Sequence, residues 1–148
     1  LTGMENLVGS GFNDVLTGDS AANLIIGGAG DDIIDAMGGV DTVSYASATA
    51  AVSVDLAAIG INVTGGAGND ALSNVENIIG SAYGDTISGD GAANVIEGGA
   101  GADIMNGGAG NDTASYAGST AAVNASLVTG AVNSGGHADI YSFISRLP

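Results

Sequence analysis

The residues best placed to do chemistry in this chain are aspartates that recur at a fixed step. Asp14, Asp32 and Asp41, with Asn23 among them, follow one another at intervals of nine, and the series returns as Asp85, Asn94, Asp103 and Asp112. Each closes a glycine-rich stretch, of which Gly27-Gly28-Ala29-Gly30-Asp31-Asp32-Ile33-Ile34-Asp35 is a full example. Its pattern is Gly, Gly, x, Gly, x, Asp, x, apolar, x. Adjacent glycines open backbone angles that a side chain forbids, so the first six residues read as a tight loop. The last three read as a short strand with one side chain turned inward. Such a loop leaves main-chain carbonyls free to converge, and its aspartate adds a carboxylate. Hard, oxygen-rich coordination of that kind suits calcium.

The elements that position these loops follow from the same spacing. Sixth positions at Asp14, Asn23, Asp32 and Asp41 come with eighth positions at Leu16, Ile25, Ile34 and Val43. Each short apolar run is followed by a glycine-rich loop, which breaks a helical period and predicts strands at about 15–17, 24–26, 33–35 and 42–44. The alternation in Val52-Ser53-Val54-Asp55-Leu56 predicts a longer half-buried strand, and Gly65-Gly66-Ala67-Gly68-Asn69-Asp70-Ala71-Leu72-Ser73 is another full nonapeptide. From Leu72 the chain repeats itself, Asn6 matching Asn77 and Tyr45 matching Tyr116 at a separation of 71 residues. Two units are expected, 1–71 and 72–148, the second with an echo of the alternating strand at 123–127, a degraded loop at 135–139 and a divergent tail. Repeats nested in this way predict an all-β solenoid in which each layer buries its neighbour.

If one nonapeptide is a loop plus half a lap, two complete an 18-residue turn and loops 18 residues apart stack. Asp14 then lies over Asp32 and Asn23 over Asp41, with Asp85 over Asp103 and Asn94 over Asp112 in the second unit. Two carboxylates about 5 Å apart repel by roughly 3 kcal/mol at an effective dielectric near 20, and a divalent ion between them reverses the sign. The Asp/Asp side is expected to bind more tightly than the Asn/Asp side, because a neutral amide gives the ion less charge.

Composition agrees with thin layers. The 148 residues include 27 glycines and one proline; 45% are hydrophobic, and no tryptophan is present to fill a thick core. The formal charge of −15 disfavours nucleic acid and anionic membrane as partners and calls for cations in a compact state. No cysteine is available for disulfides or thiolate metal sites. No apolar run is long enough for a membrane helix, and no signal peptide precedes Leu1. The start without Met reads as a fragment or processed piece. No nucleophile–base pair, HExxH or GxSxG motif appears, so the chain is read as no enzyme.

These nonapeptides resemble those of the RTX (repeats-in-toxin) family of haemolysin-type calcium-binding proteins. The resemblance covers most of 6–115, with 45–64 and 116–134 similar to spacers. It implies a parallel β-roll, calcium in the turns, and type I secretion to the extracellular medium or cell surface. Carried over by position, it implies ligation by Asp14, Asp32, Asp41, Asp70, Asp85, Asp103 and Asp112. Asn23 and Asn94 fill the same slot in weaker sites, and carbonyls such as those of Gly27, Ala29, Asp31, Gly98 and Ala100 complete the shells. The chain departs from the family pattern at Ala36-Met37, at the two asparagines, and at Phe12 and Tyr83 in a slot usually glycine.

Asp19 and Asp90 are read as turn residues, with accessory ligation as the alternative. Phe12, Tyr45, Tyr83 and Tyr116 are read as plugs of the thin core, with sugar stacking as the alternative. His137 is read as a surface residue. The function expected is a calcium-folded structural or assembly module, a stalk, scaffold or surface-layer segment that associates end to end. The alternatives are a polysaccharide-binding module and the calcium-binding tail of a secreted protease, lipase or epimerase.

Overall fold

The computed structural model describes residues 3–61, 63–127, 131–134 and 137–143; for Thr64 and from 131 onward it describes the main chain alone. The degraded loop's Gly135 and Gly136, the His137 side chain and the tail from 144 lie outside the described residues. Every described element is a strand, so the fold is all-β. In chain order these are β1 Asn6–Val8, β2 Val15–Thr17, β3 Leu24–Ile26, β4 Ile33–Asp35, β5 Thr42–Ser44, β6 Val52–Asp55, β7 Val63–Gly65 and β8 Ala71–Ser73. There follow β9 Asn77–Ile79, β10 Thr86–Ser88, β11 Val95–Glu97, β12 Ile104–Gly108, β13 Thr113–Ala114, β14 Val123–Ser126, β15 Ala131–Ser134 and β16 His137–Phe143. No helix among the described residues is long and apolar enough to cross a membrane.

The glycine loops leave three residues to most strands, and in these the middle one faces inward. Ile25 and Val43 on one side and Ile34 and Ile87 on the other are wholly buried. Strands pair in parallel one lap apart, Leu7 beside Ile25 and Leu16 beside Ile34, which makes the lap 18 residues. One side of the roll is a six-stranded sheet, β1-β3-β5-β9-β11-β13. It runs through residues 71–72 without interruption, because β5 pairs directly with β9.

The opposite side carries the spacer. There β2-β4-β8 form one sheet and β14-β15-β16-β12-β10-β6-β7 another. The alternating segment forms β6 with Val52 and Val54 buried; it pairs in parallel with β10 and antiparallel with β7. Val63 and Asp70 then exchange two main-chain hydrogen bonds of 3.1 Å, which joins β7 to the residue that leads into β8. One lap thus holds β6, β7 and β8 where its neighbours hold a single strand. The echo at 123–127 behaves differently: β14 is an end strand in an antiparallel meander with β15 and β16, and Val123 is exposed.

Candidate metal centre

Strand register places every sixth-position residue on one of two edges of the roll. On one edge Asp14, Asp32 and Asp70 stand directly before β2, β4 and β8, and Asp85 and Asp103 before β10 and β12. On the other edge Asn23, Asp41, Glu76, Asn94 and Asp112 stand before β3, β5, β9, β11 and β13.

One contact recurs along both edges. The side chain accepts the main-chain N–H of its counterpart one lap earlier: Asp14 to Asp32 Oδ1 at 2.9 Å, Asp32 to Asp70 at 3.0 Å, and Asp85 to Asp103 at 2.8 Å. Across the roll the same bond links Asn23 to Asp41 at 2.7 Å and Asn94 to Asp112 at 3.0 Å. The stacking expected from the spacing is therefore present, and its direct link is a charge-assisted N–H bond rather than two facing carboxylates. Asp41 N–H donates to Glu76 Oε2 at 2.9 Å, so a glutamate takes the sixth position in the turn between β8 and β9, which has no glycine.

That bond uses only one carboxylate oxygen. Asp32, Asp41 and Asp70 are at most 1% exposed, and the Oδ2 of each is buried with no hydrogen-bond partner. A buried ionised oxygen without a donor is costly unless a cation meets it. The first glycine of the turn adds to the cradle. A Cβ on Gly27 would collide with Asp32 Oδ2, and one on Gly98 or Gly107 with the carboxylate of Asp103 or Asp112. The carbonyls of Gly27 and Gly98 face the first glycines of the preceding turns, Gly9 and Gly80. Among the described residues no three acidic or imidazole side chains gather at one point. An ion here would take one or two carboxylate oxygens and complete its shell with carbonyls. Calcium, with its six to eight oxygen ligands and tolerant geometry, fits that donor set.

The electrostatics point the same way. Burial, and then the charges of Asp14 and Asp31, raise the Asp32 carboxyl above its ordinary range, against the pull of the Asp14 N–H. Asp70 is raised too, by burial first; the Asp32 N–H and the nearby Tyr45 hydroxyl pull it back, and the charges of Asp32 and Asp31 push it up. The Tyr45 hydroxyl is buried beside Asp70 but outside hydrogen-bonding geometry, and burial followed by the charge of Asp70 raises the phenol well above its usual value.

Asp31 is exposed. Its main-chain N–H donates to Asn13 and its carboxylate accepts from Asn69, a fifth-position ladder that spacing alone did not reveal. Glu76 was missed as well, although Glu5 precedes β1 as Glu76 precedes β9. Asp19 and Asp90 each accept the N–H two residues on at 2.8 Å, as turn residues do. Of the aromatics, Tyr45 is buried and Tyr116 packs against the core, but Phe12 is 79% and Tyr83 47% exposed. The expected plugs are thus two, because the fourth position of a turn points outward.

The family model of the RTX calcium-binding nonapeptide repeat (4 copies) matches residues 6–43 and 79–114. No curated protein matches the chain in a search of such sequences.

Proposed function

The chain belongs to the RTX calcium-binding nonapeptide repeat family, and from that premise we propose that it is a calcium-folded structural module of a secreted bacterial protein, made of two tandem units, 1–71 and 72–148. The observation that carries this reading is the set of buried, partnerless Oδ2 atoms on Asp32, Asp41 and Asp70. The ions sit in the turns, held by sixth-position carboxylates such as these and by carbonyls such as those of Gly27 and Gly98. Bound calcium neutralises the repulsion within each edge and locks successive laps together. This chain's own part is to bring the oxygens together and to keep water out of the narrow core beneath them.

Sites of the affinity found in extracellular modules, about 0.1–1 mM, stay empty in the calcium-poor cytosol. The chain leaves the cell unfolded and stiffens outside, where it serves as a stalk, scaffold or surface-layer segment without catalysis of its own. Binding free energy is here folding free energy. Circular dichroism tests this: strand content should be low in chelator and rise cooperatively at millimolar calcium. An equal strand signal with and without the ion would refute it. A second reading, a polysaccharide-binding module, is favoured by one observation, the exposure of Phe12 and Tyr83 at equivalent turn positions, and a glycan array would decide it.

A further inference from the structure

The turns fall into two classes, and the second residue of the nonapeptide separates them. In the turns at 9–14, 18–23, 80–85 and 89–94 this residue is Ser10, Asp19, Ser81 or Asp90, none with a positive φ. Its main-chain N–H points back into the turn and donates to the sixth-position side chain. Ser10 bonds Asp14 at 2.6 Å, Asp19 bonds Asn23 at 2.9 Å, Ser81 bonds Asp85 at 2.6 Å and Asp90 bonds Asn94 at 3.0 Å. These turns are closed by the chain itself.

In the turns at 27–32 and 36–41 the second residue is Gly28 or Met37, with φ of 110° and 72°. The peptide is rotated, its N–H no longer reaches the carboxylate, and Asp32 Oδ2 and Asp41 Oδ2 are left bare. The turn at 65–70 arrives at the same state by another route. There Gly65 carries the positive φ, 123°, the Gly66 N–H is taken by the Ala51 carbonyl at 2.9 Å, and Asp70 Oδ2 is bare. The turns at 98–103 and 107–112 share the rotated backbone, with φ of 96° at Gly99 and 84° at Gly108. Open turns hook onto closed ones: Ala29 N–H donates to the Ser10 carbonyl, and Ala109 N–H to that of Asp90.

Asp85 shows how complete the closure is. It is 1% exposed, yet Val52 N–H at 2.8 Å and Ser81 Oγ at 2.7 Å reach Oδ1 while Ser81 N–H reaches Oδ2. Three donors on one carboxylate satisfy its oxygens without a metal. The amide of Asn94 goes further: its Nδ2 donates to the Glu76 carbonyl at 2.8 Å and so sets a proton donor where a cation would take that oxygen.

The structure assigns calcium to the open turns alone: those at 27–32, 36–41, 65–70, 98–103 and 107–112 each take an ion, while the closed turns at the head of each unit are satisfied by their own backbone and take none. This rests on the calcium reading above and divides it. Each 71-residue unit then begins with a metal-independent lap on which the first metal-dependent lap is laid.

The test is a calcium count on the full chain, by equilibrium dialysis at saturating calcium with strand content checked on the same samples. Asp32→Asn should lose about one ion, and Asp85→Asn should keep the wild-type number. If Asp85→Asn loses as many as Asp32→Asn, the division falls while calcium binding stands; if the wild type binds no calcium, the function reading itself falls. Should Asp85→Asn fail to fold, Ser81→Gly decides, because it frees the peptide to rotate. A gain of about one ion supports the assignment, and an unchanged count overturns it.

Discussion

The main-chain N–H of Asp32 donates to Oδ1 of Asp70 at 3.0 Å across 38 residues, and the N–H of Asp14 makes the same bond to Asp32 across 18. The ladder therefore steps over the spacer without losing its period in space. The extra residues form the β6–β7 hairpin, whose β6 pairs with β10 on the same side of the roll, and the chain returns in register, so Asp32 donates to the Asp70 carboxylate on one side and accepts the Asp14 N–H on the other. A residue that both donates to the next rung and accepts from the last should be harder to replace than one at an end.

Asp32→Ala is accordingly expected to raise the calcium midpoint of folding about tenfold, the loss of one charge-assisted hydrogen bond and one ion ligand. Asn23→Ala removes no charge and should raise it far less. Paired circular-dichroism titrations would show the gap, and equal midpoints would count against a difference between the open turn of Asp32 and the closed turn of Asn23.

Backbone geometry gives a sharper contrast. Gly28 has φ of 110°, and a Cβ there would run into the Ser10 carbonyl, whereas nothing lies within 4 Å of a Cβ on Gly11. Gly28→Ala should cost about 2 kcal/mol or more, and Gly11→Ala no more than about 0.5 kcal/mol. Met37 already bears a side chain at φ 72°, so Met37→Gly should stabilise by about 1 kcal/mol. Denaturant unfolding at saturating calcium measures all three.

These contrasts mark where the sequence was legible. Strands 15–17, 24–26, 33–35 and 42–44 appear at the positions read from spacing, because an apolar residue every nine places has no other way to reach a core one side chain deep. The stacking of Asp14 with Asp32 and of Asp85 with Asp103 was legible for the same reason, whereas that of Asp32 with Asp70 was not, because 38 residues separate them. Glu76 was not, since no glycine precedes it and only the register of β5 with β9 shows that it replaces an aspartate. Nor was the split between Ser81 and Gly99 legible, because it lies in the direction of one peptide N–H.

The pH dependence follows from Asp32 and Asp70. Their carboxyls in the folded chain lie above the ordinary 3.8, so between that value and the raised ones the folded state holds more protons than the unfolded state. Stability without metal is then greatest below 3.8 and is lost as pH rises through the raised values. Calcium needs the same carboxylates ionised, so its midpoint should climb as pH falls. In chelator, strand content should increase from pH 7 toward about pH 4. A metal-free fold that strengthens with rising pH over that interval would contradict the burial argument.

The last prediction concerns the first lap. β1 and β2 are end strands of their sheets, and their inward residues Leu7 and Leu16 are only half-buried, whereas Ile25 and Ile34 one lap on are fully covered. An uncovered lap offers a thin apolar face and a row of main-chain N–H and C=O groups, which pair readily with another chain in the same geometry. The closed turns at 9–14 and 18–23 flank this face and need no metal, so a second copy can stack there once its own laps have formed. Sedimentation velocity on the isolated chain at millimolar calcium should show a boundary that grows with concentration and collapses to a slow monomer in chelator. Leu7→Asp with Leu16→Asp should hold the calcium-loaded chain as a monomer with its strand signal retained. A single monomer boundary at every concentration of the wild type would remove end-to-end association through this face.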